Sequence, residues 1–234
     1  MHMNKPAPKQ RSFRSRLLHK EHLTPAIILA HVNAPEDFIF QAGQYVNLGV
    51  AREGGEVQKP VSIASAPSQN GHLEFIIKLT LGKVLGAFFS EASPGAEMSV
   101  TGPMGGFVVE ERGPIHFIAA GVGVAPVRSM YQDLLLRRYK YPVRLSLLRE
   151  PEEWGVFDVE LAESYRACKN FSYSLIHASP ELAGPEWGWR HLNIGFPEQD
   201  ETVYLSGSRE FVSKIKETLL ARGFEADRLI TENI

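Results

Sequence analysis

The fold of this chain is decided by the stretch Ile115-His116-Phe117-Ile118-Ala119-Ala120-Gly121-Val122-Gly123-Val124-Ala125-Pro126. Its apolar first half is typical of a buried strand, and the two glycines permit a tight turn directly after that strand. From Pro126 onward apolar residues recur at helical spacing, which predicts a helix with one apolar face. That face comprises Val127, Met130, Tyr131, Leu134 and Leu135. Proline suits the start of a helix because its missing N–H would be unpaired there. A strand, a glycine turn and a helix start together begin an α/β unit of the kind that binds nucleotides.

The glycine turn has the physical properties of a phosphate site. Gly121 and Gly123 allow the backbone to approach a phosphate closely, and the helix start offers unpaired N–H groups with a partial positive charge of ~0.5. The turn departs from the G-x-G-x-x-G pattern because Pro126 stands where a third small residue is expected. Taken alone, the turn is equally compatible with a structural strand–turn–helix that binds no ligand.

Composition excludes several classes of protein. The chain has 234 residues, 44% of them hydrophobic and 22% charged, enough for one large domain or two of about 100–130 residues. A net charge of -2 gives no case for binding nucleic acid or an anionic membrane. Cys168 is the single cysteine, so the chain has no internal disulfide and no cysteine-ligated iron–sulfur cluster, which needs four thiolates. No apolar run approaches the ~20 residues of a membrane span, and nothing resembles a signal peptide. We therefore expect a cytoplasmic protein without a membrane span.

The first half of the chain consists of short β-like segments between turn signals. This pattern predicts a small antiparallel barrel or sandwich, interrupted by a helix at Val84–Glu91. The predicted strands are Phe13–His19, Thr24–His31, Tyr45–Val50, Val61–Ser65, His72–Leu79 and Glu97–Thr101. We place a first domain at residues 1–111 and a second at residues 112–234.

The second half alternates strands with amphipathic helices, which predicts a parallel sheet covered on both faces. After the first strand and helix, the predicted strands are Val143–Leu148, Phe171–His177, Thr202–Ser206 and Leu229–Thr231. The predicted helices are Phe157–Cys168, with Phe157, Leu161, Tyr165 and Cys168 on one side, and Arg209–Arg222, with Phe211, Val212, Ile215, Leu219 and Leu220 turned inward. Ligands of such sheets bind at the carboxyl ends of the strands, where both the glycine turn and Ser206-Gly207-Ser208 are expected.

Several segments, in their order and spacing, resemble the ferredoxin–NADP reductase superfamily of flavoprotein reductases over about residues 13–234. The segments that carry the resemblance are Phe40-Gln41-Ala42-Gly43-Gln44-Tyr45-Val46, Lys59-Pro60-Val61-Ser62-Ile63-Ala64-Ser65, Ser93-Pro94-Gly95, Gly102-Pro103-Met104-Gly105-Gly106-Phe107 and Gly121–Pro126. The resemblance implies a flavin-binding barrel followed by a nucleotide-binding α/β domain, with FAD and NAD(P)H as cofactors. The implied flavin-binding residues are Lys59, Pro60, Val61, Ser62, Ile77, Lys78, Val84, Leu85 and Gly86. The implied nucleotide-binding residues are Gly121, Val122, Gly123, Pro126, Arg149, Gly207 and Ser208.

The flavin motif departs from the family pattern at three positions. Lys59 replaces an arginine that pairs with the flavin pyrophosphate, keeping the charge but losing the bidentate fork. Val61 replaces a tyrosine that stacks on the isoalloxazine ring. Gly86 replaces a serine or threonine of a second motif at a helix start, while Lys78 in the preceding strand can supply charge to the same phosphates. These departures predict FAD binding that is weaker than usual for the family.

Three residues are implied in catalysis. Ser62 matches the serine that hydrogen-bonds the hydride-accepting ring nitrogen; the alternative is an ordinary strand serine. Ser206 stands at a cysteine position near the nicotinamide, and Ser208 replaces a nearby proline. Glu232 resembles a C-terminal glutamate near the nicotinamide, with a frayed terminal charge as the alternative.

Coenzyme choice is expected at Arg149-Glu150, directly after the second parallel strand. An arginine favours the 2′-phosphate of NADP and an acidic residue favours the ribose of NAD, so the sequence leaves the choice open. Glu152 and Glu153 would oppose a phosphate unless they are merely solvated.

The sequence predicts no metal site. His116 is interpreted as a core or edge histidine because no second ligand lies at zinc spacing. Cys168 is interpreted as a packed small hydrophobe. Trp187-Gly188-Trp189, in a loop at Pro180–Pro197, either touches substrate or covers a neighbour.

The leading hypothesis is an NAD(P)H-dependent flavin oxidoreductase. Its electron acceptor would be a ferredoxin, a flavodoxin, an oxygenase component or free flavin. The alternative is a nucleotide-binding or regulatory electron-transfer subunit with a degenerate flavin site and little turnover.

Overall fold

The computed structural model describes residues 9–52, 54–69, 71–79, 83–177 and 195–234, which form one antiparallel and one parallel sheet with helices packed around them. The predicted fold class, an antiparallel β-barrel followed by an α/β parallel-sheet domain, is confirmed. The tryptophans of the predicted Trp187-Gly188-Trp189 contact lie outside the described residues.

The antiparallel sheet is a curled half-barrel. Its strands are β1 (Arg11–Thr24), β2 (Ile27–Asn33), β3 (Tyr45–Arg52), β4 (Gly55–Ser62), β5 (His72–Lys78) and β6 (Glu97–Met104). Their order across the sheet is β4-β3-β6-β1-β2-β5, which puts β4 and β5 at the edges. The two edges approach each other just past β4, where the Ala64 N–H donates to the Glu74 carbonyl at 2.8 Å. Helix α1 (Lys83–Glu91) contributes Leu85 and Phe89 to the core inside the curl.

The bounds of β4 differ from the predicted strand at Val61–Ser65. The observed strand lies earlier, and most of its side chains are exposed or half-exposed, so it lacks the apolar alternation on which the prediction depended. Ile63 and Ala64 are fully buried, but they follow the strand instead of forming it. The apolar composition therefore identified the buried segment that follows the edge strand, and it missed most of the strand itself.

The parallel sheet has the predicted alternation of strands and helices. Its strands are β7 (Ile115–Ala120), β8 (Val143–Arg149), β9 (Phe171–His177), β10 (Thr202–Gly207) and β11 (Leu229–Asn233). Their order is β11-β10-β7-β8-β9, so the chain direction across the sheet switches between β7 and β10. The helices are α2 (Val124–Leu136), α3 (Asp158–Ala167) and α4 (Arg209–Ala221). A switch point of this kind is where open α/β sheets bind their ligands.

Two residues that were predicted to lie on apolar, inward-facing sides of helices are exposed instead, so this part of the prediction is wrong. Tyr165 is 58% exposed, because it lies near the end of α3 and packs edge-on against Tyr173 at the surface. Leu220 is 38% exposed, because it follows Leu219 by one residue and so lies about 100° away from the buried stripe of α4. None of the helices in the described part of the chain has the length and hydropathy that a bilayer-spanning helix needs.

The two halves share one hydrophobic core. Ile27 and Ile76 of the antiparallel sheet belong to the same buried cluster as Phe117, Met130 and Tyr204 of the second half. The domain boundary between residues 111 and 112 falls in the segment that joins β6 to β7, and it stays a prediction.

Arg128 of α2 joins the two halves through a buried ion network. Its guanidinium donates to the Ala64 carbonyl at 3.0 Å and to Glu74 Oε2 at 2.5 Å. On the other side it donates to the Glu160 carboxylate of α3 at 2.7–3.0 Å. The guanidinium carbon also lies 4.8 Å from the centroid of the Phe157 ring. Burial alone would lower the pKa of Arg128, but the two carboxylates outweigh it and raise that pKa, so the charge is permanent.

Replacing Arg128 with Met should destabilise the fold strongly. The change leaves Glu74 buried without its cation, and breaking a buried pair from one side costs about 3–5 kcal/mol. The free energy of unfolding in urea measures this loss. Arg137→Met is the matched control at the end of the same helix, because its ion pairs with Glu111 and Asp133 involve a half-exposed guanidinium and are worth about 1 kcal/mol or less. Equal losses of unfolding free energy in the two variants would show that the buried network stabilises the fold no more than an exposed ion pair does.

Candidate functional site

The glycine turn forms as predicted, and each of its two positions requires glycine for a different physical reason. Gly121–Gly123 form a short 3-10 turn between β7 and α2. Gly121 has φ +58°, a conformation that residues with side chains rarely adopt. Gly123 needs the absence of a side chain, because a Cβ there would lie 2.5 Å from the Ser206 carbonyl oxygen. The helix begins at Val124, so Pro126 is its third residue and still within the first turn.

The end of β10 lies against this turn, as the topology predicted. Ser206 is fully buried beside Ala119 of β7, and its hydroxyl has no hydrogen-bond partner among the described residues. A buried hydroxyl without a partner is uncommon and points to a missing ligand or water. Gly207 continues the strand, and Ser208 caps α4 by accepting the Phe211 N–H at 3.3 Å. A nucleotide role for Ser208 stays a prediction.

Glu232 lies in β11, directly opposite Ser206 in the parallel pair. The carboxyl is half-buried, and burial raises its pKa. The alternative of a frayed terminal charge is therefore wrong. Glu232 and Ser206, two of the three predicted catalytic residues, are neighbours at the same end of the sheet.

A shallow cleft of about 280 Å³, counting space open to solvent, separates the glycine turn from the antiparallel sheet. It is lined by Ile27, Ile76, Gly121, Val122, Val124, Leu147, Arg149, Glu153 and Val156. The sequence did not indicate Ile27 and Ile76 as site residues, because their apolar strands looked like core. Only the packing of the two halves brings them to the cleft.

Lys78, at the end of β5, bridges this cleft. Its ammonium group lies 3.0 Å from Glu150 Oε2 and 3.3 Å from Glu153 Oε1. Glu153 is buried beside the turn, with Oε1 only 3.4 Å from the position a Cβ would take on Gly121. Burial raises the pKa of Glu153, opposed by the Glu150 N–H and by Lys78. The alternative that Glu153 is merely solvated is wrong, because its carboxylate is buried directly beside Gly121 of the turn.

The residues of the predicted flavin motif lie on an accessible strand. Lys59 and Pro60 are exposed, and Val61 and Ser62 are half-buried at the end of β4. Two other predicted flavin residues, Ile77 and Leu85, are buried in the core of the antiparallel sheet, and Val84 packs partly against that core. Because side chains of this kind are committed to packing, Ile77, Val84 and Leu85 can offer a ligand chiefly their backbone.

Gly86 has a packing reason to be glycine. It is the fourth residue of α1, and a Cβ there would lie 2.3 Å from the Leu79 carbonyl oxygen. The glycine therefore lets α1 pack closely against the end of β5. Its predicted role at a phosphate stays a prediction.

Arg149, predicted to select the coenzyme, is buried beside the cleft. Its side chain is 2% exposed and donates to Asp158 Oδ1 at 2.6 Å and to the Val156 carbonyl at 3.2 Å. A second guanidinium nitrogen lies 3.0 Å from His177 Nε2. Arg149 is the last residue of β8, one residue beyond the predicted end of that strand, and Asp158 at the start of α3 binds its guanidinium. Its role in coenzyme choice stays a prediction.

His116 is a core histidine, as predicted. It is fully buried, with Nε2 2.8 Å from Ser146 Oγ and Nδ1 3.2 Å from an Arg144 nitrogen. Burial lowers the pKa of His116 well below its ordinary value, and the Arg144 charge lowers it further. The ring is therefore neutral and structural. Cys168 packs partly buried against the shared core, as predicted.

Comparison with known proteins agrees with this architecture. Residues 15–109 match the family described as the oxidoreductase FAD-binding domain. The toluate 1,2-dioxygenase electron transfer component of Pseudomonas putida is 28% identical over 196 residues, 80% of this chain and 56% of that protein. The propane 2-monooxygenase reductase component of Rhodococcus jostii (strain RHA1) is 35% identical over 233 residues, 92% of this chain and 62% of that protein.

Among solved structures, a ferredoxin NADP⁺ reductase from Neisseria gonorrhoeae with bound FAD and NADP has a TM-score of 0.79 at 22% identity, covering 95% of this chain and 98% of that one. The two-domain fold of that structure is the fold of this chain. The resemblance to the ferredoxin–NADP reductase superfamily that the motifs indicated is confirmed by the family match and by these relatives. The chain spans only 56% and 62% of the two curated relatives described above.

Arg149→Met should lower the free energy of unfolding by about 1.5–3 kcal/mol, the worth of a hydrogen bond to a charged group, because the variant loses the bond to Asp158. Urea unfolding checks the value. Arg166→Met is the control, since Arg166 is an exposed arginine of the neighbouring α3. An unchanged unfolding free energy for Arg149→Met would mean that the buried ion pair is energetically neutral.

Proposed function

We propose that this chain is an NAD(P)H-dependent flavoprotein reductase that passes electrons to a separate acceptor. The observation that carries the proposal is the cleft between the two halves. There a glycine turn at a switch point faces the strand that ends in Lys78. Next to Gly123 of that turn, the buried Ser206 hydroxyl has no hydrogen-bond partner among the described residues. The relatives named as reductase or electron transfer components support the same function.

The residues fit the two cofactors in different ways. The first turn of α2 has no side-chain cap, so its N-terminal backbone groups can receive the phosphates of NAD(P)H. Lys59 is exposed on β4, and we assign to its ammonium group an ion pair with the flavin pyrophosphate. When bound, FAD supplies the redox chemistry by accepting a hydride and releasing electrons singly.

The protein's own contribution is orientation and hydrogen bonding. We assign to Ser62 the hydroxyl that donates to the flavin ring, to Ser206 a hydrogen bond at the nicotinamide, and to Glu232 a carboxyl beside it. Such groups act by holding the reacting atoms ~3–3.5 Å apart in fixed geometry. Lys78 and Glu153 form the ion pair that the coenzyme meets as it enters.

The names of the relatives provide two candidates for the electron acceptor. An oxygenase component is the first candidate, because both curated relatives are parts of oxygenase systems by name. A ferredoxin is the second, since the Neisseria gonorrhoeae neighbour is named for one. Flavodoxin and free flavin stay predictions from the sequence, as does a cytoplasmic location.

The alternative, a regulatory subunit with little turnover, is less well supported. It depended on the departures at Lys59, Val61, Gly86 and Ser206. The structure gives Gly86 a packing reason, and Ser206 keeps a buried hydroxyl beside Gly123 of the glycine turn. Reduction of bound flavin by NADH or NADPH under anaerobic conditions separates the two functions, because a regulatory subunit would leave the flavin oxidised.

The full chain should bind FAD, and Lys59→Glu should weaken that binding at least about tenfold. A charged hydrogen bond is worth about 1.5–3 kcal/mol, and 1.4 kcal/mol corresponds to tenfold in affinity. Titration calorimetry with FAD measures both values. Arg52→Glu is the control, with the same change of charge at an exposed position of the neighbouring β3. Folded protein that gives no heat with FAD or FMN would overturn the flavin assignment.

Ser62→Ala should slow hydride transfer by ~10²–10³ while changing flavin affinity far less, because a preorganised donor acts mainly on developing charge. Stopped-flow measurement of anaerobic flavin bleaching gives the rate, and calorimetry gives the affinity. Ser68→Ala is the control at an exposed position of the following turn. Wild-type bleaching by the Ser62 variant would remove this hydroxyl from the mechanism.

A further inference from the structure

Three metal-ligand side chains meet on β2 and β5, in a part of the molecule that the proposed reduction does not use. His31 of β2 lies directly opposite Glu74 of β5 in the antiparallel ladder. His72 precedes Glu74 by two residues, so both point to the same face of the sheet. The three side chains therefore form one cluster, which we call the His–His–Glu cluster.

The spacing within this cluster is close to that of a zinc site. Glu74 Oε1 lies 3.4 Å from His31 Nδ1 and 3.8 Å from His72 Nε2. All three ligand atoms lie within 4.8 Å of one another. A tetrahedral Zn²⁺ with bonds of about 2.0–2.1 Å requires ligand atoms about 3.3–3.4 Å apart. The Glu74–His31 distance already matches this spacing, and the His72 side chain, which would have to move closer, is 34% exposed.

Hydrogen bonding leaves the cluster open to an ion. Both histidine–carboxylate contacts are longer than a normal hydrogen bond of 2.7–3.2 Å. His31 is mostly buried, and Nδ1 is the ring nitrogen that faces Glu74. This nitrogen is therefore not held by a hydrogen bond of normal length to Glu74 and can bind an ion. A third histidine, His19, stacks on the His31 ring with centroids 3.9 Å apart and fixes its plane.

The surroundings hold Glu74 in the orientation that a metal needs. Its Oε2 accepts a hydrogen bond from Arg128 at 2.5 Å, which leaves Oε1 directed at the histidines. Metal-binding carboxylates are typically oriented by such outer hydrogen bonds. The guanidinium of Arg128 also pairs with Glu160, so two carboxylates face this one positive charge.

We propose that His31, His72 and Glu74 bind a divalent transition-metal ion, with Zn²⁺ as the ion their chemistry fits best. Two imidazoles and one carboxylate are a recurrent zinc ligand set, and three protein ligands leave a fourth position for water. The half-exposed His72 puts that position at the solvent side. Because Glu74 also binds Arg128, the ion would stabilise the contact between the two halves.

The first test uses the full chain stripped of metal with a chelator and titrated with Zn²⁺ alone by calorimetry. We expect one equivalent to bind, and His72→Ala to weaken that binding at least about tenfold, as losing a supporting group of a metal site already does. His22→Ala is the matched control, because His22 is an exposed histidine of β1 outside the cluster. Absence of stoichiometric binding, or equal affinity in wild type and His72→Ala, would overturn the proposal.

A second measurement does not depend on any variant. Co²⁺ in place of Zn²⁺ should give the intense visible absorption bands of a four-coordinate site in the unaltered chain. Weak bands of a six-coordinate ion would overturn the proposal. If His72→Ala does not fold, which its thermal unfolding curve reveals, the cobalt spectrum decides by itself. Neither measurement requires bound flavin, so the result is independent of the proposed reductase function.

Discussion

The guanidinium of Arg128 is the interaction on which the arrangement of the two halves depends. It is a permanent charge inside the protein, and it is stable there only because the Ala64 carbonyl and two carboxylates surround it. Each partner comes from a different element, so the network can form only when β5, α2 and α3 are in place together. The adjacent Ser129 adds a hydrogen bond to the Ser65 carbonyl at 2.6 Å. The start of α2, which carries the glycine turn, is thereby fixed against the chain segment that follows the flavin motif.

Backbone contact is the second constraint, and it acts on the same site. Gly123 touches the end of β10, and Gly86 lets α1 approach the end of β5. Neither contact tolerates a Cβ, so the glycine turn is held against the end of β10, and α1 is held against the end of β5. Each side of the proposed cleft is thereby fixed within its own half of the molecule.

The parts of the fold that the sequence predicted well are those determined locally. The glycine turn combines an apolar strand, two glycines and a helical repeat within a short stretch, and the structure follows it closely. The edge strand β4 was misplaced because exposed residues on both faces remove the alternation that reveals a strand. The position of Arg149 was predicted, but the direction of its guanidinium depends on Asp158 in another element, and no local pattern encodes that pairing. The His–His–Glu cluster was missed for the same reason, since two strands contribute its ligands.

Pro60 stands in β4, which is an edge strand of the antiparallel sheet. An unprotected edge offers free N–H and C=O groups to any extended chain that comes near, and natural proteins block this with proline and lysine. Lys59 and Pro60 provide both features: Pro60 has no N–H to donate, and the charge of Lys59 repels an apolar strand. The motif proposed to bind flavin therefore also discourages strand addition and aggregation at this edge.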